Sequence, residues 1–203
     1  MGVLMDNKTL NKAKSFVKKI DQGNSYHNFD HICSVLNRVQ KNPLFNTLSI
    51  ENQQLLELAA VFHDAGYDVE SSEEQNLAVA VESLRAFAFT TKELNNLQTE
   101  VISELIYSTD NRWLDRIVED GLFLSRAILK DADVTQTLDL SKSKNEAISW
   151  MDKLSKEIGY QVTPRTTMDW LNSLTTFTPE GSRIVDKFRK TFQEVSSIAE
   201  QHY

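Results

Sequence analysis

Cysteine is almost missing: Cys33 is the only one in 203 residues. No internal disulfide and no multi-thiolate zinc site can form, and the count favours a reducing compartment. Glycine (six) and proline (three) are scarce while hydrophobic residues reach 40%, which excludes a disordered or low-complexity chain. Long apolar runs are absent as well. The longest, Leu58 to Phe62 and Leu77 to Val81, fall far short of the roughly 20 residues of a membrane-spanning helix. No apolar stretch follows Lys8, Lys12 and Lys14, so the N-terminus does not read as a signal peptide. Asp6 stands where a myristoylation motif after Gly2 needs Ser or Thr. These absences place the protein in the cytoplasm. Positive charge is also in deficit, 22 basic against 29 acidic residues for a net charge of −7. That disfavours a nucleic-acid polymer or an anionic membrane as partner. A small anionic substrate is compatible with it if basic residues cluster locally.

What is present is helical periodicity, with no alternating β-branched run, repeat or linker to compete with it. Asn28 is placed to cap a helix carrying Phe29, Ile32, Val35, Leu36 and Val39. Leu55, Leu58, Ala59 and Phe62 repeat the pattern, and Gly66 is placed to end that helix. Further helices are expected from Glu73 to Phe87 and from Glu93 to Tyr107. The segment from Trp113 to Leu138 is apolar on more than one face, as a helix in the middle of a bundle is. Lys144 to Ile158, Thr166 to Leu174 and Gly181 to about Gln201 complete the set. The expectation is a single all-α domain over residues 1–203, its motif-bearing part at about 25–138 and a helical C-terminal extension at about 141–203.

Three of the four histidines fall in two short clusters, Tyr26-His27-Asn28-Phe29-Asp30-His31 and His63-Asp64. His31 lies beside Val35 and His63 one turn after Ala59, so both point toward the core edge. Taken alone, each reads first as a hydrogen-bonded core histidine; together with an adjacent carboxylate they suit a divalent transition metal. Asp133, late in the most apolar segment, would carry a large desolvation cost that a nearby cation removes. Asp131 points about 200° away around the helix, so at least one of the two faces solvent or caps a neighbour.

These patches resemble the HD-domain metal-dependent phosphohydrolases, in particular the small bacterial predicted members of that superfamily. The resemblance is carried by residues 26–31, by Ala59-Ala60-Val61-Phe62-His63-Asp64-Ala65-Gly66-Tyr67-Asp68, by Glu73-Glu74 and by Asp131-Ala132-Asp133-Val134, in that order. It implies a compact helical fold with one divalent ion held by His31, His63, Asp64 and Asp133, the Asp after Ala being chosen over Asp131. Manganese is implied first, with magnesium, iron, cobalt, nickel and zinc as alternatives. Relatives often carry a histidine where this chain reads Thr109-Asp110-Asn111, and only His27 and His202 are left for a second ion, which favours a mononuclear site.

Asp68, Glu73 and Glu74 match acidic positions of related enzymes and are candidates for proton transfer, although acids in a loop and a first helical turn need no such role. His27 is a candidate substrate contact. Arg126 and Lys130 share a helix face with Asp133 at i, i+4 and i+7 and are candidates for a substrate phosphate; Arg112 and Arg116 form a second pair. The expected activity is attack of metal-activated water on a small phosphorylated substrate, a nucleotide or nucleotide-like phosphoester. The alternatives are a guanosine-tetraphosphate hydrolase, a nucleotide pyrophosphatase, or a sensor that binds metal and nucleotide without turnover. Nothing in the sequence fixes the oligomeric state.

Overall fold

The computed structural model describes residues 7–110, 120–136, 138, 144–159 and 161–200, with the side chains of 144–148, 150, 151, 164 and 191–200 left aside. Within them run α1 (Asn7–Ile20), α2 (Phe29–Lys41), α3 (Ile50–Phe62), α4 (Glu73–Thr91), α5 (Asn96–Tyr107), α6 (Phe123–Thr135), α7 (Lys144–Ile158), α8 (Pro164–Ser173) and α9 (Pro179–Glu200). A short 3-10 turn, Phe45–Thr47, joins α2 to α3, and no strand occurs among the described residues. The all-α expectation holds.

Side-chain caps explain where many of these helices begin. Asn28, Ser49, Ser72, Asn95 and Thr163 each accept a backbone N–H of the following turn. Ser72 and Asn95 do so in reciprocal boxes with Gln75 and Gln98. The Asn95 cap moves the start of α5 to Asn96, later than the expected Glu93. Glu93 instead accepts from the Thr9 hydroxyl at 2.9 Å and pairs with Lys12, tying the α4–α5 link to α1.

The core forms around α3, whose residues from Leu58 to Phe62 are all buried. A stretch apolar in every direction has to be surrounded, and α3 packs against α1, α2, α4, α5 and α6. Rings of Phe16, Phe62 and Phe87 meet at 5.4–6.2 Å between centroids and join α1, α3 and α4. Full burial, reached by Phe62 and Phe87, is worth about 1.5–3 kcal/mol per ring.

The expected helix from Trp113 to Leu138 is shorter: its described part is α6, and residues 111–119, with Arg112, Trp113 and Arg116, lie outside the description. Apolar periodicity does not register the turn at Gly121, where the Asp120 carboxylate accepts the Leu122 N–H at 2.8 Å. From that turn α6 passes between α2, α3, α5 and α9. A second apolar cluster, Leu138, Leu171, Ile184, Val185 and Phe188, holds α8 and α9 together.

Asp131 staples α6 to the start of α9. Its buried carboxylate accepts the N–H of Phe177 at 2.9 Å and both the N–H and hydroxyl of Thr178 at 2.7 and 2.6 Å. Of the two neighbouring aspartates, this is the one that caps. Gly181 packs directly on it: a Cβ there would lie 2.2 Å from Asp131 Oδ2.

Candidate metal centre

His31, His63, Asp64 and Asp133 come together from three helices. His31 is the third residue of α2, and the Asn28 cap accepts its backbone N–H at 3.1 Å, so the residue that starts the helix also fixes the imidazole's base. His63 and Asp64 follow the last residue of α3, where the chain turns through Gly66 at φ +77°. That left-handed conformation is open to glycine at little cost. Asp133 sits in the last turn of α6.

One ligand atom from each residue lies within 4.8 Å of all the others. His31 Nε2 is 3.2 Å from His63 Nε2, 3.0 Å from Asp64 Oδ2 and 3.5 Å from Asp133 Oδ1. His63 Nε2 is 3.3 and 3.6 Å from the same two carboxylate oxygens. Bonds of about 2.1 Å to a common ion separate adjacent ligands by about 3.0 Å at right angles or about 3.4 Å at tetrahedral angles. The donor set fits a divalent cation in size as well as in chemistry. His63 Nδ1 lies 2.9 Å from the Ala60 carbonyl and donates to it, which leaves the Nε2 lone pair facing the cluster. The imidazole side chains are buried to 3% and 0% exposure while the carboxylates keep 16% and 23%, so the cluster opens to solvent on its carboxylate side.

Electrostatics tie the four groups together. Burial works against a charged His31 and His63, yet hydrogen bonds and charge from Asp64 and Asp133 outweigh it and push both imidazoles up, His63 well above its ordinary value. The same contacts overcome burial at Asp64 and Asp133 and hold both carboxyls below the usual range. A divalent ion held by the four groups would supply positive charge facing the two carboxylates in place of a proton on the imidazoles.

Around the cluster the other candidates separate. Glu73 is an exposed residue of the first turn of α4 whose carboxyl is pushed up by partial loss of solvent and then by the charges of Asp64, Asp133 and Asp110. Asp68 is spent on its own loop, accepting the Glu70 N–H at 3.1 Å and the Ser71 hydroxyl at 3.0 Å. Glu74 is an exposed residue of the first turn of α4. Arg126 forms a two-pronged pair with Asp120 at 2.9 and 3.0 Å, and the buried Lys130 donates to the Thr109 carbonyl. The structure therefore gives both cations partners of their own on the shared face.

His27 stacks on Tyr67 with centroids 4.0 Å apart and meets His31 edge-on at 5.5 Å. Its Nδ1 contacts Glu157, whose Oε2 also accepts the backbone N–H groups of Tyr26 and His27 at 2.6 and 3.1 Å. Burial alone would raise Glu157, but these donors hold it low. Burial and the surrounding carboxylates push the Tyr67 phenol up to about 12. Sequence reasoning missed Glu157, which reaches back from α7, and Asn76, whose buried amide clamps both backbone groups of Asp68 at 2.9 and 3.0 Å. It also missed Gln136, which donates to the Tyr26 hydroxyl at 2.8 Å. No local pattern marks Glu157 or Gln136. Asn76, a polar residue beside the apolar Leu77 to Val81 run, left the only sequence trace.

No protein-family model matches the chain, and no curated protein matches it. Among solved structures it is similar to LmjPDEB1 in complex with IBMX, at 14% identity and a TM-score of 0.63, covering 94% of this chain and 85% of that one. The likeness is one of fold.

Proposed function

We propose that the chain is a metal-dependent phosphohydrolase of the HD-domain type, acting on a nucleotide or nucleotide-like phosphoester. The observation that carries this reading is the His31, His63, Asp64 and Asp133 cluster, with ligand-sized separations and one solvent-facing side. Support also comes from the fold, which is similar to that of a protein whose name marks it as a phosphodiesterase. In this reading the four residues hold one divalent ion, manganese first. Such an ion supplies Lewis acidity toward a phosphate oxygen and a more acidic water.

The chain's own groups do the rest. Glu73, whose carboxyl is pushed up by loss of solvent and by the charges of Asp64 and Asp133, takes or returns a proton at the open side of the cluster. His27, held by Glu157 and Tyr67, presents its Nε2 edge to a substrate oxygen. Tyr26, anchored by Gln136 and with its ring 5.1 Å from that of His31, walls the same side.

Phosphate release by manganese-loaded protein from a panel of nucleoside mono-, di- and triphosphates tests the proposal. Release abolished by His63→Ala is expected. Nucleotide binding with no release from any member of the panel would overturn catalysis in favour of a sensor.

A further inference from the structure

A cavity of about 430 Å³ opens between α2, α6 and α9, on a different face of α6 from Asp133. Four cations line it: Arg38 and Lys41 from the last turn of α2, Arg183 and Lys187 one turn apart on α9. In a chain of net charge −7 this is a concentration against the overall balance. Only two carboxylates, Asp131 and Glu180, stand against these four, which leaves the lining an excess of positive charge. Asp131 is saturated by the donors of Phe177 and Thr178, and Glu180 is occupied by Arg183 at 2.7 and 2.8 Å. Arg38 reaches across the cavity edge to the Gln136 carbonyl at 3.5 Å. The floor is apolar, made by Ala132, Leu138 and Ile184, all buried.

We propose that this cleft binds a small organic phosphate, at a site separate from the metal centre. The volume lies within the range of small-molecule sites. Two guanidinium groups, one shared with Glu180 and one with the Gln136 carbonyl, and two ammonium groups supply the charge that a phosphate or diphosphate calls for. The apolar floor accepts the ring or carbon part of the same molecule, which a bare inorganic anion would leave unused. Because Lys41, Arg183 and Lys187 are exposed, binding weakens as salt rises. Occupancy of this cleft does not depend on whether the metal centre turns substrate over.

Calorimetric titration of the full, metal-free chain with adenosine diphosphate, inorganic pyrophosphate and adenosine tests the assignment. Adenosine diphosphate should bind with one-site stoichiometry, more tightly than pyrophosphate and at least tenfold more tightly than adenosine. The double variant Lys41→Gln, Lys187→Gln removes only exposed side chains and should keep the parent circular dichroism. It should weaken adenosine diphosphate about tenfold or more, since each charge-assisted contact to phosphate is a strong one. Lys8→Gln with Lys19→Gln on α1 should leave the affinity unchanged. The assignment is overturned by absence of binding at millimolar ligand, by unchanged affinity in the Lys41 and Lys187 variant, or by an equal loss in the α1 variant. Tighter binding of a single-stranded oligonucleotide than of adenosine diphosphate would overturn it too, in favour of a polymer.

Discussion

Alanine at Asp131 and alanine at Asp133, two positions apart on α6, should damage the protein in opposite ways. Asp131 is 2% exposed and accepts two backbone N–H groups and one hydroxyl from Phe177 and Thr178. Asp131→Ala strands the two N–H groups, at about 1–3 kcal/mol each, whereas the hydroxyl can rotate. Part of that loss is returned, because burial already disfavours the ionised carboxylate and pushes its pKa up. A net cost of about 2–4 kcal/mol follows, or roughly 5–15 °C in Tm for a chain of this size. Metal binding should survive, because Asp131 contacts α9 and not the cluster.

Asp133→Ala should do the reverse, removing the stability increment that manganese adds by mass action. Urea melts followed by circular dichroism, with and without manganese, read both effects. A third arm uses Gly181→Ala, where a Cβ would sit 2.2 Å from Asp131 Oδ2. Alone it should destabilise, despite the roughly 1 kcal/mol that alanine normally gains over glycine in a helix. In the Asp131→Ala background the Oδ2 and Cγ contacts are gone and only the 3.1 Å approach to the Cβ of residue 131 remains, so the same change should cost less than it does alone. An Asp131→Ala protein within 0.5 kcal/mol of the parent would refute the stapling argument. Loss of the manganese increment in that variant would refute the separation of the two faces.

Proton release should accompany metal uptake, because the raised imidazoles must give up protons to become ligands; manganese affinity should climb with pH, and its binding heat should change between buffers of different ionisation enthalpy. In the metal-free protein the raised His31 and His63 contribute stability fully below about pH 6.5 and lose it as pH rises through their folded values. The lowered Asp64 and Asp133 contribute fully above about pH 4 and lose it as pH falls, so urea midpoints of the metal-free chain should be highest between those limits. Glu73→Gln should retain manganese and slow turnover about 10²–10⁴-fold, whereas Asp68→Asn should leave the rate near the parent's; a full-speed Glu73→Gln enzyme would remove Glu73 from proton transfer. Gly66→Ala, which forces a side chain into φ +77° and within 3.0 Å of Val79 Cγ1, should cost about 1–2 kcal/mol in urea melts, and an unchanged midpoint would contradict the strain.

Local chemistry accounts for most of what could be read in advance. Asn28 announces α2 because a short polar side chain before an apolar stripe has a specific use there, and Gly66 ends the α3 turn because its φ is positive. The four clustered residues were legible from spacing only with the family resemblance, since two histidines and two aspartates spread from position 31 to 133 carry no periodic signature. Lys130 shows a limit of face arguments. It lies on the expected side of α6, but a long flexible stem lets its ammonium find the Thr109 carbonyl. Glu157 was illegible for another reason: its partners lie 130 positions away or more, and a lone acid on a charged helix has no feature that announces them.

α6 serves three neighbours at once, with Asp131 held by α9, Asp133 at the cluster and Gln136 on Tyr26. Each residue added to or removed from a helix rotates everything beyond it by about 100° and shifts it by about 1.5 Å. A substitution here disables one contact and spares the others; a one-residue insertion between Asp131 and Gln136 breaks the register among them. Divergent descendants of this chain can therefore exchange side chains along α6 one at a time, while its length is held constant by three independent partners.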